Sequence, residues 1–261
     1  MRRVVRLRRM AKLKKPQSST VRCPNPNCRA NVKPHERQCV VCGTDVGFPN
    51  VRAASTSQEI KALQHRVSKA IADCASRGCK EVCAKFRKVT ARSHAVMNRP
   101  LGFVQAQMSS DNLLYATYYQ QVGSEGRSPQ DNEWDRGRQS VDTLLLPYYY
   151  DHIHFGALSL DGAGIRDYGE VSLTFKDESI NRRATVFEEN SRLFVRQRKI
   201  VAGDPVPPGY RAPWSSRGDL AVAKLAPKLN KATIMDDFPR LLMQVSPGGQ
   251  SDFIEVHIYG P

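Results

Sequence analysis

The chain has 261 residues, 40% hydrophobic and 25% charged, with a formal net charge of +15 and a pI near 9.7. The apolar fraction excludes a disordered chain, and no apolar run approaches the roughly 20 residues that span a bilayer. The positive excess implies a polyanionic partner, nucleic acid (DNA or RNA) in preference to a membrane.

Twelve of the forty Lys and Arg lie in residues 1–50 against two acids, so most of the excess sits at the N-terminus. Residues 1–20 read as a basic flexible arm. Arg2, Arg3, Arg6, Arg8, Arg9, Lys12, Lys14 and Lys15 are expected to meet phosphates, joined by Arg29 and Lys33 further on. Such contacts bind backbone without reading sequence. Arg6, Arg8 and Arg9 interrupt any apolar core of a secretory signal, and the seven cysteines are an odd number, so a reducing cytoplasm is expected.

Residues 21–50 hold Cys23-x4-Cys28, ten residues, then Cys39-x2-Cys42-Gly43. Two close cysteine pairs on tight turns place four thiolates around one zinc, so a structural four-cysteine zinc ribbon is expected. The segment is too short to bury a core, so the metal would supply its folding energy. His35 stands as an alternative ligand. Residues 46–56 read as a linker.

Apolar residues from Ile60 to Val89 recur at three and four, predicting one long helix that starts at Ser57. Cys74, Cys79 and Cys83 fall on it, either as small buried side chains or with Cys79 and Cys83 sharing a metal with His94. Further helices are expected over 113–122 and 134–146, the second stopped by Pro147, with a polar loop over 123–132 between them. Residues 57–147 therefore read as a helical region.

Residues 148–261 read as an α+β domain with an antiparallel sheet. Strands are expected over 152–160 and 170–176 about a glycine turn, and a short helix over 221–229. In the closing strand, 253–259, Ile254, Val256 and Ile258 point to the core while Phe253, Glu255, His257 and Tyr259 point the other way. An acid, an imidazole and two aromatics fill a core poorly and line a pocket well. His152 and His154 share a face of an earlier strand, and with His257 they would serve acid–base chemistry in a metal-independent nuclease.

Tyr168-Gly169-Glu170, the following Arg183-Ala184-Thr185 and the closing Phe253-Ile254-Glu255-Val256-His257-Ile258 resemble ADP-ribosyltransferase-like toxin domains over roughly 150–261. The resemblance implies an NAD-dependent enzyme of toxin or defence type, and with it a neutralising antitoxin or other protein partner. It implies that Glu255 orients the nicotinamide ribose and polarises the nucleophile, with His154 or His152 in the early-strand role. Tyr168, Arg183, Ser191 and His257 would complete the cofactor site, Ser191 standing in for an absent Ser-Thr-Ser strand. A zinc-ribbon nucleic-acid-binding protein of a larger assembly, without chemistry, is the reading that needs none of this.

Overall fold

The computed structural model describes residues 20–109, 117–123, 133–246 and 251–260. Residues 1–19, with the eight arm cations, and most of 110–132 lie outside them. The fold is α+β, and among the described residues no helix is long and apolar enough to cross a membrane.

The N-terminal module is a short hairpin, β1 (Val21–Arg22) and β2 (Asn31–Val32), in register Val21 to Val32. The stretch expected to be a linker is structured. Pro49–Ala54 is a helix, α1, with proline at its first position, where no amide donor is missed. Asn50 of α1 is buried, and its Nδ2 donates to the carbonyls of Arg183 and His257.

The expected long helix is two, α2 (Ser57–Ser76) and α3 (Lys80–Thr90). Thr56 caps α2 by accepting from the Glu59 amide. Gly78 breaks the stripe at a φ of 68°. Its amide donates to Ala75 O and the Cys79 amide to Cys74 O, the paired bonds of a Schellman stop. The apolar period runs unbroken through the stop because both helices bury the same side, so periodicity alone does not reveal it.

Strand β3 (His94–Arg99) then enters a six-stranded sheet, followed by α4 (Leu101–Met108), α5 (Tyr118–Gly123) and α6 (Glu133–Leu145). Of the expected helix over 113–122 only 117–122 falls among the described residues, and nearly all of the expected loop over 123–132 falls outside them. Next come β4 (Ile153–Ser159), β5 (Val171–Thr174), α7 (Asp177–Ile180), β6 (Ala184–Phe187) and α8 (Ser191–Arg198). Strand β7 (Arg211–Pro213), α9 (Arg217–Leu225), α10 (Phe238–Leu242) and β8 (Glu255–Tyr259) complete the order. Helix α9 starts four residues earlier than expected and gives way at Ala226-Pro227 to a 3-10 turn, because proline supplies no amide to the ladder.

The sheet order is β5-β3-β4-β8-β6-β7, every neighbouring pair antiparallel. Because β3 pairs with β4 and β5, the region expected to be helical over 57–147 also supplies a strand to the sheet. Residues directly opposite in an antiparallel pair share a face. One face carries Leu158, Ala184, Val186, Ile254, Val256 and Ile258, with residues of α2, α3 and α9 in the same cluster. The other carries Ile153, Phe155, Phe187 and Tyr259, packed with residues of α6 and α8. Both faces of the sheet are covered by helices.

Candidate functional site

Two arrangements carry chemistry: the four cysteines of the N-terminal module and a polar cluster on the α6–α8 face of the sheet.

The ligand atoms of Cys23, Cys28, Cys39 and Cys42 lie within 4.8 Å of one another. The Cys23 and Cys42 sulfurs are 3.5 Å apart, and those of Cys28 and Cys39 are 3.7 Å apart. A tetrahedral metal with thiolate bonds of about 2.3 Å separates its sulfurs by about 3.8 Å, so the cluster has the dimensions of such a site. Local sequence sets them. The amides of Cys28 and Arg29 both donate to Asn25 O, and Arg29 adopts a φ of 52° to turn the first knuckle. In the second, Gly43 at φ 72° donates to Cys39 O, while the Cys39 amide donates to Thr44 O. The Thr44 hydroxyl, 3.2 Å from the Cys42 sulfur, holds that thiol down to about 6, which favours the thiolate a metal requires. His35 is not part of the cluster, since its ring lies against Tyr148 at 4.9 Å. Among the described residues no metal-ligand grouping includes Cys74, Cys79 or Cys83. They are buried where α2, α3 and the 226–229 turn meet, and burial pushes the Cys74 thiol up to about 12.

The cysteine module is fastened to the sheet. Arg52 of α1 donates to Gly47 O at 2.7 Å, Pro34 O at 2.7 Å and Glu36 O at 2.8 Å. Phe48 lies 5.5 Å from the Tyr259 ring, with the Arg37 guanidinium 4.4 Å above Phe48. Lys33 is held by Glu36 at 3.7 Å, whereas Arg29 is exposed with no ion pair among the described residues.

The polar cluster centres on Glu255 in β8, a strand between two others. Its Oε2 accepts from the Ser191 amide at 2.9 Å, and its Oε1 accepts from the Ser191 hydroxyl at 2.8 Å. His257 Nε2 lies 2.7 Å from the same Oε1, which puts the proton on Nε2 when the acid is ionised. Ser191 opens α8, so the carboxylate also faces the positive end of that helix. Burial alone would raise the Glu255 carboxyl, but the His257 ring and the two Ser191 donors hold it below the ordinary carboxylate range. Exposure is 4% at Glu255, 3% at His257 and 4% at Ser191. The expected open face is thus a buried one, because α6 and α8 cover it.

Sequence reasoning missed the groups that α5 and α6 bring to this cluster. The Arg138 guanidinium sits 4.4 Å above Phe155 and 4.8 Å above Tyr118, and its charge reaches Glu255. Asp142, one turn on, pairs with Arg138 at 3.3 Å and accepts from the Tyr119 hydroxyl at 2.7 Å. Burial raises the Asp142 carboxyl against those two partners, while Glu255 beside it is held low. The available signal was a charged pair at 138 and 142 on the turns that also carry Val141 and Leu145. Tyr168, half exposed in a turn after Ile165, is within electrostatic reach of Arg138.

The other expected residues do not join. In the β4–β8 register His154 lies opposite Ile258 and Phe155 opposite His257, so His154 is on the face away from Glu255. It is 7% exposed with Nε2 unpartnered, and burial, with Arg99 and Arg183 nearby, pushes it down to about 4. His152 precedes the strand in an exposed turn and lies 5.5 Å from the Tyr259 ring, so the three histidines of the nuclease reading share no site. Arg183 is occupied by backbone carbonyls, Ser179 O at 2.8 Å and Gly260 O at 3.0 Å. Beyond His257, a cavity lined by Asn50, Tyr149, Phe187 and Arg211 has room for about one water. No family model matches the chain, and no curated protein matches it.

Proposed function

We propose that the chain is a nucleic-acid-targeted ADP-ribosyltransferase-like enzyme, with Glu255 as its acting carboxylate and a structural zinc on the four cysteines. One observation supports it above the rest. Glu255 is an ionised acid oriented at both oxygens by Ser191 and His257, before any substrate arrives. Such preorganisation suits charge that develops during reaction.

NAD, when bound, supplies a ribosyl electrophile. Bound NAD would offer its ribose carbon to a base nitrogen or hydroxyl, with nicotinamide as the leaving group that keeps the bond's electron pair and the nucleophile's proton passing to solvent. Glu255 offsets the positive charge growing at that carbon. His257 and Ser191 hold the carboxylate still, and Arg138, over the rings of Phe155 and Tyr118, would set a cation beside it for an anionic ligand. The basic arm and the exposed Arg29 would bring the nucleic acid.

The test is nicotinamide release from NAD with DNA and with RNA. Glu255→Gln keeps the shape of the side chain and should lose nearly all turnover while remaining folded. Full turnover by the folded variant sinks the reading. The near-complete burial of Glu255, His257 and Ser191 favours a second reading, in which the cluster only ties α8 to the sheet and the protein binds nucleic acid without chemistry. Wild-type protein that binds nucleic acid and releases no nicotinamide selects that one.

A further inference from the structure

The outer surface of α2 and α3 carries a strong excess of positive charge. Lys61, Lys69, Lys80, Lys85, Lys88 and Arg92 are all exposed, and none is in an ion pair among the described residues. The two helices hold three acids. Glu59 is buried against Arg211, and Asp73 is taken by Arg77, which leaves Glu81. Arg87 is answered by Asp219 from α9.

Spacing arranges these charges. Lys85 and Lys88 on α3 and Arg92 in the turn after it follow at three and four residues, one row that Glu81 opens four residues before Lys85. Lys61 and Lys69 flank the exposed His65 on α2 in the same manner. Helices α2 and α3 pack side by side, both against α9, so the rows lie on one layer. A helical surface that needs only solubility mixes both signs. This one sets six unpaired cations against the single unpaired acid Glu81, and none of the six makes an ion pair among the described residues.

We propose that the α2–α3 face is a second nucleic-acid surface, binding the phosphate backbone, separate from the N-terminal arm and on the opposite side of the sheet from Glu255. An anionic membrane fits it less well. Apart from Ile60 at the start of α2, the exposed residues between the cations are small or polar, so the face has no apolar anchor for lipid. Phosphates held here lie behind the sheet.

The inference stands without the NAD reading, and its experiment separates the two. Full-length protein and the triple variant Lys85→Gln, Lys88→Gln, Arg92→Gln are titrated with short duplex DNA, single-stranded RNA and phosphatidylserine vesicles over a range of salt. The variant should melt as wild type does. Its logarithmic salt slope should become shallower by about 2 to 3, since each lost phosphate contact removes about 0.9 on duplex and 0.7 on a single strand. An unchanged slope and affinity on both nucleic acids overturns the proposal. Loss of vesicle binding with nucleic-acid binding untouched overturns it in favour of a membrane.

Discussion

Arg52→Met asks whether the cysteine module is part of the sheet structure or a passenger on it. Methionine matches most of the arginine stem and removes every donor. The three short bonds, to the carbonyls of Gly47, Pro34 and Glu36, dominate the loss, with longer ones to Val46 O at 3.2 Å and Lys33 O at 3.4 Å. Freed carbonyls at the module's edge regain water, so about 1 kcal/mol per bond is a fair net figure, roughly 3 kcal/mol together. In a chain this size that lowers the melting temperature by about 6 to 12 °C. The zinc proposed for the four cysteines should stay at one per chain, because no thiolate is touched. Hydrogen exchange should rise across residues 46–54, where α1 joins the module to β6 and β8 through Asn50. A variant that melts with wild type and keeps its exchange protection would show that the module docks by other contacts, Phe48 against Tyr259 foremost.

His154→Leu should flatten the acid limb of the stability curve. The folded imidazole titrates at about 4 against an ordinary 6.5, so the folded protein keeps it neutral while the unfolded chain takes a proton below 6.5. Wild type therefore loses up to about 3 kcal/mol as pH falls from 6.5 to 4, a loss that urea denaturation at several pH values should not find in the variant. Gly78→Ala puts a side chain at a φ of 68°, where its Cβ would crowd the flexible Lys231 side chain. Lys231 can move, so the cost should be the left-handed backbone penalty of about 1 to 2 kcal/mol, read by thermal melting. No change there would mean that α2 and α3 can end and begin without their stop.

The cysteine spacing specified the sulfur cluster because four ligands within about 20 residues need only two local turns. The alternation along 253–259 separated the two sides of β8, because a period of two is a backbone property. What stayed hidden depends on pairing. Ala184–Phe187 is buried on both sides and so shows no alternation at all. That His154 and Glu255 face opposite ways follows from which β4 residue meets which β8 residue, and register is not written in either strand alone. Arg138 and Asp142 were hidden for a related reason. A charged pair on an amphipathic helix reads as solvent-facing until another element is known to cover it.

Strand β8 follows every other described strand in the chain, yet it lies between β4 and β6. Until it docks, β5-β3-β4 and β6-β7 are two fragments, and the inner rims of β4 and β6 carry unpaired amides and carbonyls. Closing the sheet therefore depends on pairings between residues about 70 and 100 positions apart, which form late and slowly in a chain. Before insertion those rims are templates for any stray strand, including the β8 of a neighbouring molecule. A polypeptide halted before residue 253 would be left with both rims exposed, so it should aggregate rather than persist as a shortened, working form.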